Sequence, residues 1–250
     1  MRKTAIVLVV LVVVFGGLFV VADRVSASAA ENTISEQAVK EMSARSITSP
    51  QKPHVSVGGF PFLTQVLRGR YDKVTITVDQ PQYSNNVKLE KLTLVAAPVR
   101  APLKAITSHQ GQVTADVVTG TASMSWDQVR SLMELAGIPG IDPSVVQISA
   151  VDNQVRLRIP LVILGKKVTI TAGGTLTVAG GQVKFQVSQI TPEGDGIPDY
   201  VTNAISQYKQ RLSVKVNVPQ MPYKLTLKKV ESNSHGIVAT AAADQVVLAG

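Results

Sequence analysis

The chain has 250 residues, with 25 Lys and Arg against 17 Asp and Glu, which is enough for one large or two small domains with a real core. It has no cysteine, and this excludes disulfides, thiolate nucleophiles and cysteine metal sites. Without residues 1–30 it still holds 22 basic against 16 acidic side chains, a mild positive field that suits anionic surfaces such as phospholipid headgroups or phosphate esters. Nucleic acid is disfavoured. The basic residues are scattered and aromatics make up 4% of the chain, whereas single-strand binders need stacking platforms beside a basic groove.

Arg2 and Lys3 precede an uncharged apolar run of 19 residues from Thr4 to Ala22, long enough for one bilayer crossing. The positive flank should stay in the cytoplasm and place the rest outside. Length favours a retained anchor, while the small residues Ala27-Ser28-Ala29 would serve as a signal-peptide cleavage site. Residues 1–30 are therefore read as a signal or transmembrane anchor, and 31–250 as a single domain. Within 31–47, Ile34, Ala38, Met42 and Ile47 recur at near-helical spacing and predict an amphipathic helix. Ser49-Pro50-Gln51-Lys52-Pro53 ends it, and His54 to Val57 reads as a short strand.

The stretch from Gly58 to Tyr71, GGFPFLTQVLRGRY, concentrates apolar side chains in a chain poor in aromatics. Gly58-Gly59 permits positive φ, and Pro61 biases Phe60 towards extended geometry. Phe62, Leu63, Val66 and Leu67 are spaced as a single helical turn lying on an apolar surface. Arg68 and Arg70 follow at once. Such an apolar knob could meet a lipid with both tail and phosphate, or it could plug a core and leave two solvated charges.

From Tyr71 the period changes to two. Val74, Ile76 and Val78 alternate with Thr75, Thr77 and Asp79, which marks a half-buried strand. Leu92, Leu94 and Ala96 alternate next, while Val87 and Leu89 sit on the other parity, so a bulge or register change is expected near Glu90-Lys91. Val113 to Thr121 predicts another strand. Ser125 and Gln128 stand at capping-box spacing before Val129, Leu132, Met133 and Ala136, and Gly137 and Pro139 should stop that helix. Trp126 beside Met124 and Met133 packs a helix end, or else forms a flexible apolar lip at a lipid mouth. Alternation resumes from Val145, with turns expected at Asp152-Asn153, Gly165-Lys166, Gly173-Gly174 and Gly180-Gly181. A helix is expected from Ile197 to Leu212, then strands at Val214–Val218, Leu225–Leu227 and Ile237–Val238. Runs of strands joined by hairpin turns, with helices between groups, argue for an antiparallel α+β fold.

The segment GFPFLTQ with its following Gly-Arg-Tyr, behind a hydrophobic segment and a short helix, resembles an actinobacterial family of cell-envelope proteins. Its best-known members are phospholipid-binding factors needed for elongating mannan and lipoglycans. The likeness covers about residues 31–250, and beyond the motif it is one of pattern. It implies a tubular lipid-binding (BPI-like) architecture, in which a curved antiparallel sheet wraps a long helix and holds acyl chains.

Chemistry offers no competing signal. His54, His109 and His235 stand alone, without metal-ligand spacing. Neither a Gly-x-Ser-x-Gly elbow nor a phosphate-binding glycine loop is present. The acidic run Glu193 to Asp199 falls short of a calcium loop. No catalytic residue, metal or cofactor is assigned. The expected function is binding of a membrane phospholipid at the outer side of the plasma membrane. Phe60, Phe62, Leu63, Val66, Leu67 and Tyr71 would meet the lipid, with Arg68 and Arg70 (or Lys73) at its phosphate. Met124, Trp126, Leu132 and Met133 would form the lip. Two alternatives stand beside it: a lipid-free scaffold docking an envelope glycosyltransferase through the Phe60–Leu67 knob, and an envelope glycan hydrolase.

Overall fold

The apolar run and the amphipathic stretch behind it form one helix, α1 (Arg2–Ala44), about 65 Å long at 1.5 Å per residue. Nothing between them breaks it, because alanines fill positions 27, 29 and 30 and the first proline is Pro50. Leu11, Val13, Val14, Phe15, Leu18, Phe19, Val20 and Val21 are exposed, on every side of the helix. One helix among the described residues is long and apolar enough to cross a membrane, and it is this one. From Asp23 onward α1 changes character. Asp23, Ala27, Ala30 and Ile34 form a stripe at helical spacing that packs into the fold.

The computed structural model describes residues 2–83, 87–107, 111–136, 142–163, 166–193, 215–217 and 221–249. After α1 come β1 (Ile47–Thr48), β2 (His54–Gly58), α2 (Phe62–Arg68), β3 (Arg70–Tyr71), β4 (Lys73–Asp79), β5 (Gln82–Tyr83) and β6 (Lys91–Arg100). Then follow α3 (Leu103–Thr107), β7 (Val113–Ser125), α4 (Trp126–Ala136), β8 (Gln147–Val151), β9 (Gln154–Ile163) and β10 (Lys166–Ala179). The last elements are β11 (Gln182–Glu193), β12 (Lys215–Asn217), β13 (Thr226–Ser232) and β14 (Gly236–Ala249). The helix expected over 197–212, the stop after Ala136 and the turn at Gly165 lie outside the described residues.

The fold is α+β, built from open, curved antiparallel sheets. A seven-stranded sheet has the order β13-β14-β7-β6-β4-β2, with β3 added to β6, and a five-stranded sheet has the order β12-β11-β10-β9-β8. β1 and β5 form a separate pair. β14 returns from the far end of the chain to lie along the whole of β7, from Gly236 opposite Ser125 to Ala249 opposite Val113.

Register explains the seven-stranded sheet's two faces. On one face, Val57, Val74, Ala96, Val118 and Ala243 form a continuous row across five strands. The parallel row Val55, Ile76, Leu94, Gly120, Ala241 and Leu227 lies beside it, and Val78, Leu92, Ala122, Ala239 and Val230 form a third. The opposite face carries Thr77, Thr93, Thr121 and Thr240 in one row, β-branched and polar as a wet sheet face requires. Near one end the inward positions step by three, from Ala96 to Val99, Val118 to Ala115 and Ala243 to Val246, in register on all three strands. Gln245 takes φ 53° at that level.

Two expectations need correction. Gly173-Gly174 is no turn, because β10 runs through it with a bulge. A Cβ on Gly174 would lie 2.4 Å from the Gln186 carbonyl oxygen and 2.8 Å from the Phe185 ring, so the glycine serves close strand packing. The parity change before Leu92 arises outside the strand. Val87 and Leu89 belong to an excursion closed by Leu89 N–H donating to the Pro81 carbonyl at 3.0 Å, and β6 begins only after it. Asp152-Asn153 and Gly180-Gly181 are two-residue hairpin turns with all four φ values positive, as the sequence implies.

Two cores result. One lies between α4 and the five-stranded sheet, around Trp126, Val146, Leu157, Ile159, Ile170 and Val187. The other lies between α1, α2 and the seven-stranded sheet.

Candidate functional site

The Gly58–Tyr71 motif builds a helix-capped corner at one end of the seven-stranded sheet. Gly59 has φ 92°, and a Cβ there would sit 2.4 Å from an Asp72 carboxylate oxygen and 2.8 Å from Gln65 Nε2. Only glycine fits such a place. Gln65 is buried and ties both flanks of α2 together: its Nε2 donates to the Gly58 carbonyl at 3.2 Å, and its Oε1 accepts from Asp72 N–H at 2.9 Å. Gly69 closes α2 in the left-handed conformation, with its N–H directed at the carbonyls of Gln65 and Val66.

α2 has no capping side chain of its own, since Pro61 precedes it. The cap comes from α1. Asp23 Oδ1 accepts from Leu63 N–H at 2.8 Å, and the Asp23 side chain is 0% exposed. An acceptor at the positive end of a helix is favourable. Further along, Glu31 Oε1 accepts from Val57 N–H at 2.8 Å, and Ser35 Oγ donates to the Pro53 carbonyl at 2.6 Å. These three contacts seat the Asp23–Ser35 half of α1 along the edge strand β2.

The corner divides the expected lipid-contacting residues in two. Phe62 and Tyr71 are buried, with ring centroids 6.1 Å apart, and burial pushes the Tyr71 phenol above its ordinary pKa. Leu63 and Val66 pack half-buried against the same cluster. Phe60 and Leu67 are 55% and 82% exposed. The Arg24 guanidinium lies 5.0 Å above the Phe60 ring, a cation–π contact. Arg68, Arg70 and Lys73 are exposed. Arg70 stands opposite Arg100 in the ladder, on the sheet face away from Tyr71, and Arg100 is neutralised by Asp116 at 3.0 Å.

The second expected group sits elsewhere. Met124 and Trp126 are buried at the other end of β7, about 30 Å from Ala115 at 3.3 Å per strand residue. Ser125 and Gln128 form the expected capping box, with backbone N–H to side-chain oxygen distances of 2.8 and 3.3 Å. Trp126 Nε1 donates to the Asn233 carbonyl at 3.2 Å, and Leu132 and Met133 on the helix are half-buried. The motif and the Met124–Met133 group therefore do not converge on one pocket. They stand at opposite ends of a single apolar sheet face.

That face is what the sequence reading missed. Between the two ends it presents half-buried Ile76, Leu92, Leu94, Ala122 and Ala239, with no charged side chain in any of the three rows. The contribution of β14 escaped because Ala239, Ala241 and Ala243 alternate as alanines, which carry little strand propensity. A cavity of about 480 Å³ lies away from this face, lined mainly by polar groups of Ser49, Gln80, Gln82, Lys88 and Gln128. It does not suit hydrocarbon.

No curated protein matches the chain. The sequence model of a family described as LmeA-like phospholipid-binding matches residues 21–242. The matched region begins two residues before Asp23, so it takes in the docked half of α1 together with both sheets.

Proposed function

Because the chain belongs to the LmeA-like phospholipid-binding family, we propose that it holds the acyl chains of a membrane phospholipid against the aliphatic face of its seven-stranded sheet, in a tube-like hollow, and so supports elongation of mannan and lipoglycans in an actinobacterial envelope. Phospholipid binding follows from the family. The process, and any glycosyltransferase partner, are supported by the resemblance of the GFPFLTQ motif alone. The observation that favours this placement is the uncharged face running from the motif to Met124. Each acyl CH₂ taken from water is worth about 0.8 kcal/mol, so such a surface needs no specific polar contact to hold a lipid chain. Residues 31–250 act as one lipid-binding domain in this reading.

α1 serves as a retained anchor, with Arg2 and Lys3 on the cytoplasmic side and the sheets outside the plasma membrane. Cleavage at Ala27-Ser28-Ala29 would remove the Asp23 cap from α2 and Ala27 from the core. Arg68 and Arg70 neutralise the lipid phosphate at the rim. The double variant Arg68→Ala/Arg70→Ala is expected to bind anionic phospholipid about tenfold more weakly, the loss of one charge-assisted contact, with neutral phospholipid unaffected. Equilibrium binding to both lipid types measures this. Unchanged affinity for the anionic lipid removes these arginines from the site.

A further inference from the structure

The end of the molecule that carries α2 is also the end from which the apolar half of α1 leaves the fold. Ala22 is the last residue of the apolar run. The next residue, Asp23, accepts from Leu63 N–H. α2 therefore begins at the height where the membrane-compatible part of α1 stops. Arg24, one residue further, lies over Phe60, so Phe60 is held at the same level.

Exposed apolar side chains collect there. Leu67 and Phe60 are joined by Leu103, which is 50% exposed. α3 is brought alongside by the Ala101 N–H donating to the Gly69 carbonyl at 2.9 Å, and by Pro102, whose Cα would lie 3.1 Å from a Cβ on Gly69. Exposed cations surround the three, namely Arg24, Arg68 and Lys104. The acid at this level, Asp23, is buried beneath them. One exposed leucine on a protein surface is ordinary. Three apolar side chains ringed by cations, beside a helix whose next turns are exposed and aliphatic on all sides, form an interfacial pattern.

We infer that Phe60, Leu67 and Leu103 insert into the outer leaflet of the membrane that α1 crosses, with Arg24, Arg68 and Lys104 at its phosphates, so that the sheet stands on the bilayer with its α2 end down. The inference rests on α1 being membrane-embedded, and it deepens the proposed function: one end of the aliphatic face opens at the leaflet from which a phospholipid would be drawn. The distal end is the β8–β9 turn. Its Val151 is 64% exposed, and its Asn153 side chain accepts from Ser232 N–H at 2.8 Å, at the end of β13 away from α2.

The absence of cysteine makes the test clean. Single variants Phe19→Cys, Leu67→Cys and Val151→Cys of the full chain are labelled with an environment-sensitive fluorophore. They are then reconstituted in phosphatidylglycerol–phosphatidylcholine vesicles containing lipids with nitroxides on their acyl chains. All three positions are exposed, so labelling leaves the fold intact. The label at position 67 is expected to shift to the blue and to lose emission as the label at 19 does, while the label at 151 behaves as in water. Emission at 67 that matches 151, with 19 quenched, overturns the inference and leaves phospholipid binding standing. Quenching at both 67 and 151 overturns the upright orientation. An unquenched label at 19 removes the anchor, and the inference with it.

Discussion

Phe62→Ala is expected to cost about 3–5 kcal/mol of folding stability, while Leu67→Ala, five residues on in the same motif, is expected to change it by less than about 0.5 kcal/mol. Both residues are apolar and lie on one short helix, yet they face opposite environments. Phe62 is buried against Tyr71 and sits with Ala27 of α1 and Val99 of β6 in the core that joins helix to sheet. Its removal leaves a void where three elements meet, and α2 has no other large buried side chain. Leu67 covers nothing in the protein. Urea unfolding of the full chain in micelles, followed by far-ultraviolet circular dichroism, reads the difference. Equal costs at the two positions would show that the corner is not packed as described.

Asp23→Ala is expected to destabilise the corner by about 1–2 kcal/mol, the usual worth of a helix cap. Asp23→Asn should restore most of that, because an amide oxygen can accept from Leu63 N–H as the carboxylate does. The effect is larger in meaning than in size. Asp23 lies in the stretch that the sequence assigns to a signal or anchor, yet it completes a helix 40 residues further on. If Asp23→Ala unfolds at the same urea concentration as the parent, α1 is not docked and the case for a retained anchor fails. The Asn variant separates loss of the acceptor from loss of the charge.

Period-two alternation located β4, β7, β9 and β11, because each puts branched or aromatic residues on one face and polar ones on the other. The capping box at Ser125 and Gln128 and the two-residue turns were legible for the same reason, since their chemistry is local. Continuity of α1 was not legible. A polar boundary at Asp23-Arg24 looks like the end of an anchor, and only the tertiary contact to Leu63 gives that aspartate a reason to continue the helix. The motif itself was visible, and its role in the architecture was not. Gly59, Gln65 and Gly69 act through close approach and through buried hydrogen bonds to Gly58 and Asp72, which no spacing rule reports. Placing Met124 and Trp126 about 30 Å from the knob likewise required the register of β7, and the alanine-lined β14 between them was hidden by its composition.

The central claim is that hydrocarbon lies on the inner face of the seven-stranded sheet, beyond reach of the bilayer. It is tested most directly by irradiating the full chain in vesicles containing a phospholipid with a photoactivatable group near the end of its acyl chain, then sequencing the labelled peptides. Labelling is predicted on β6, β7 and β14, at or next to Leu92, Leu94, Ala122 and Ala239, in addition to α1. Labelling confined to α1 and the Phe60–Leu67 corner would show a protein that touches the membrane and holds no lipid.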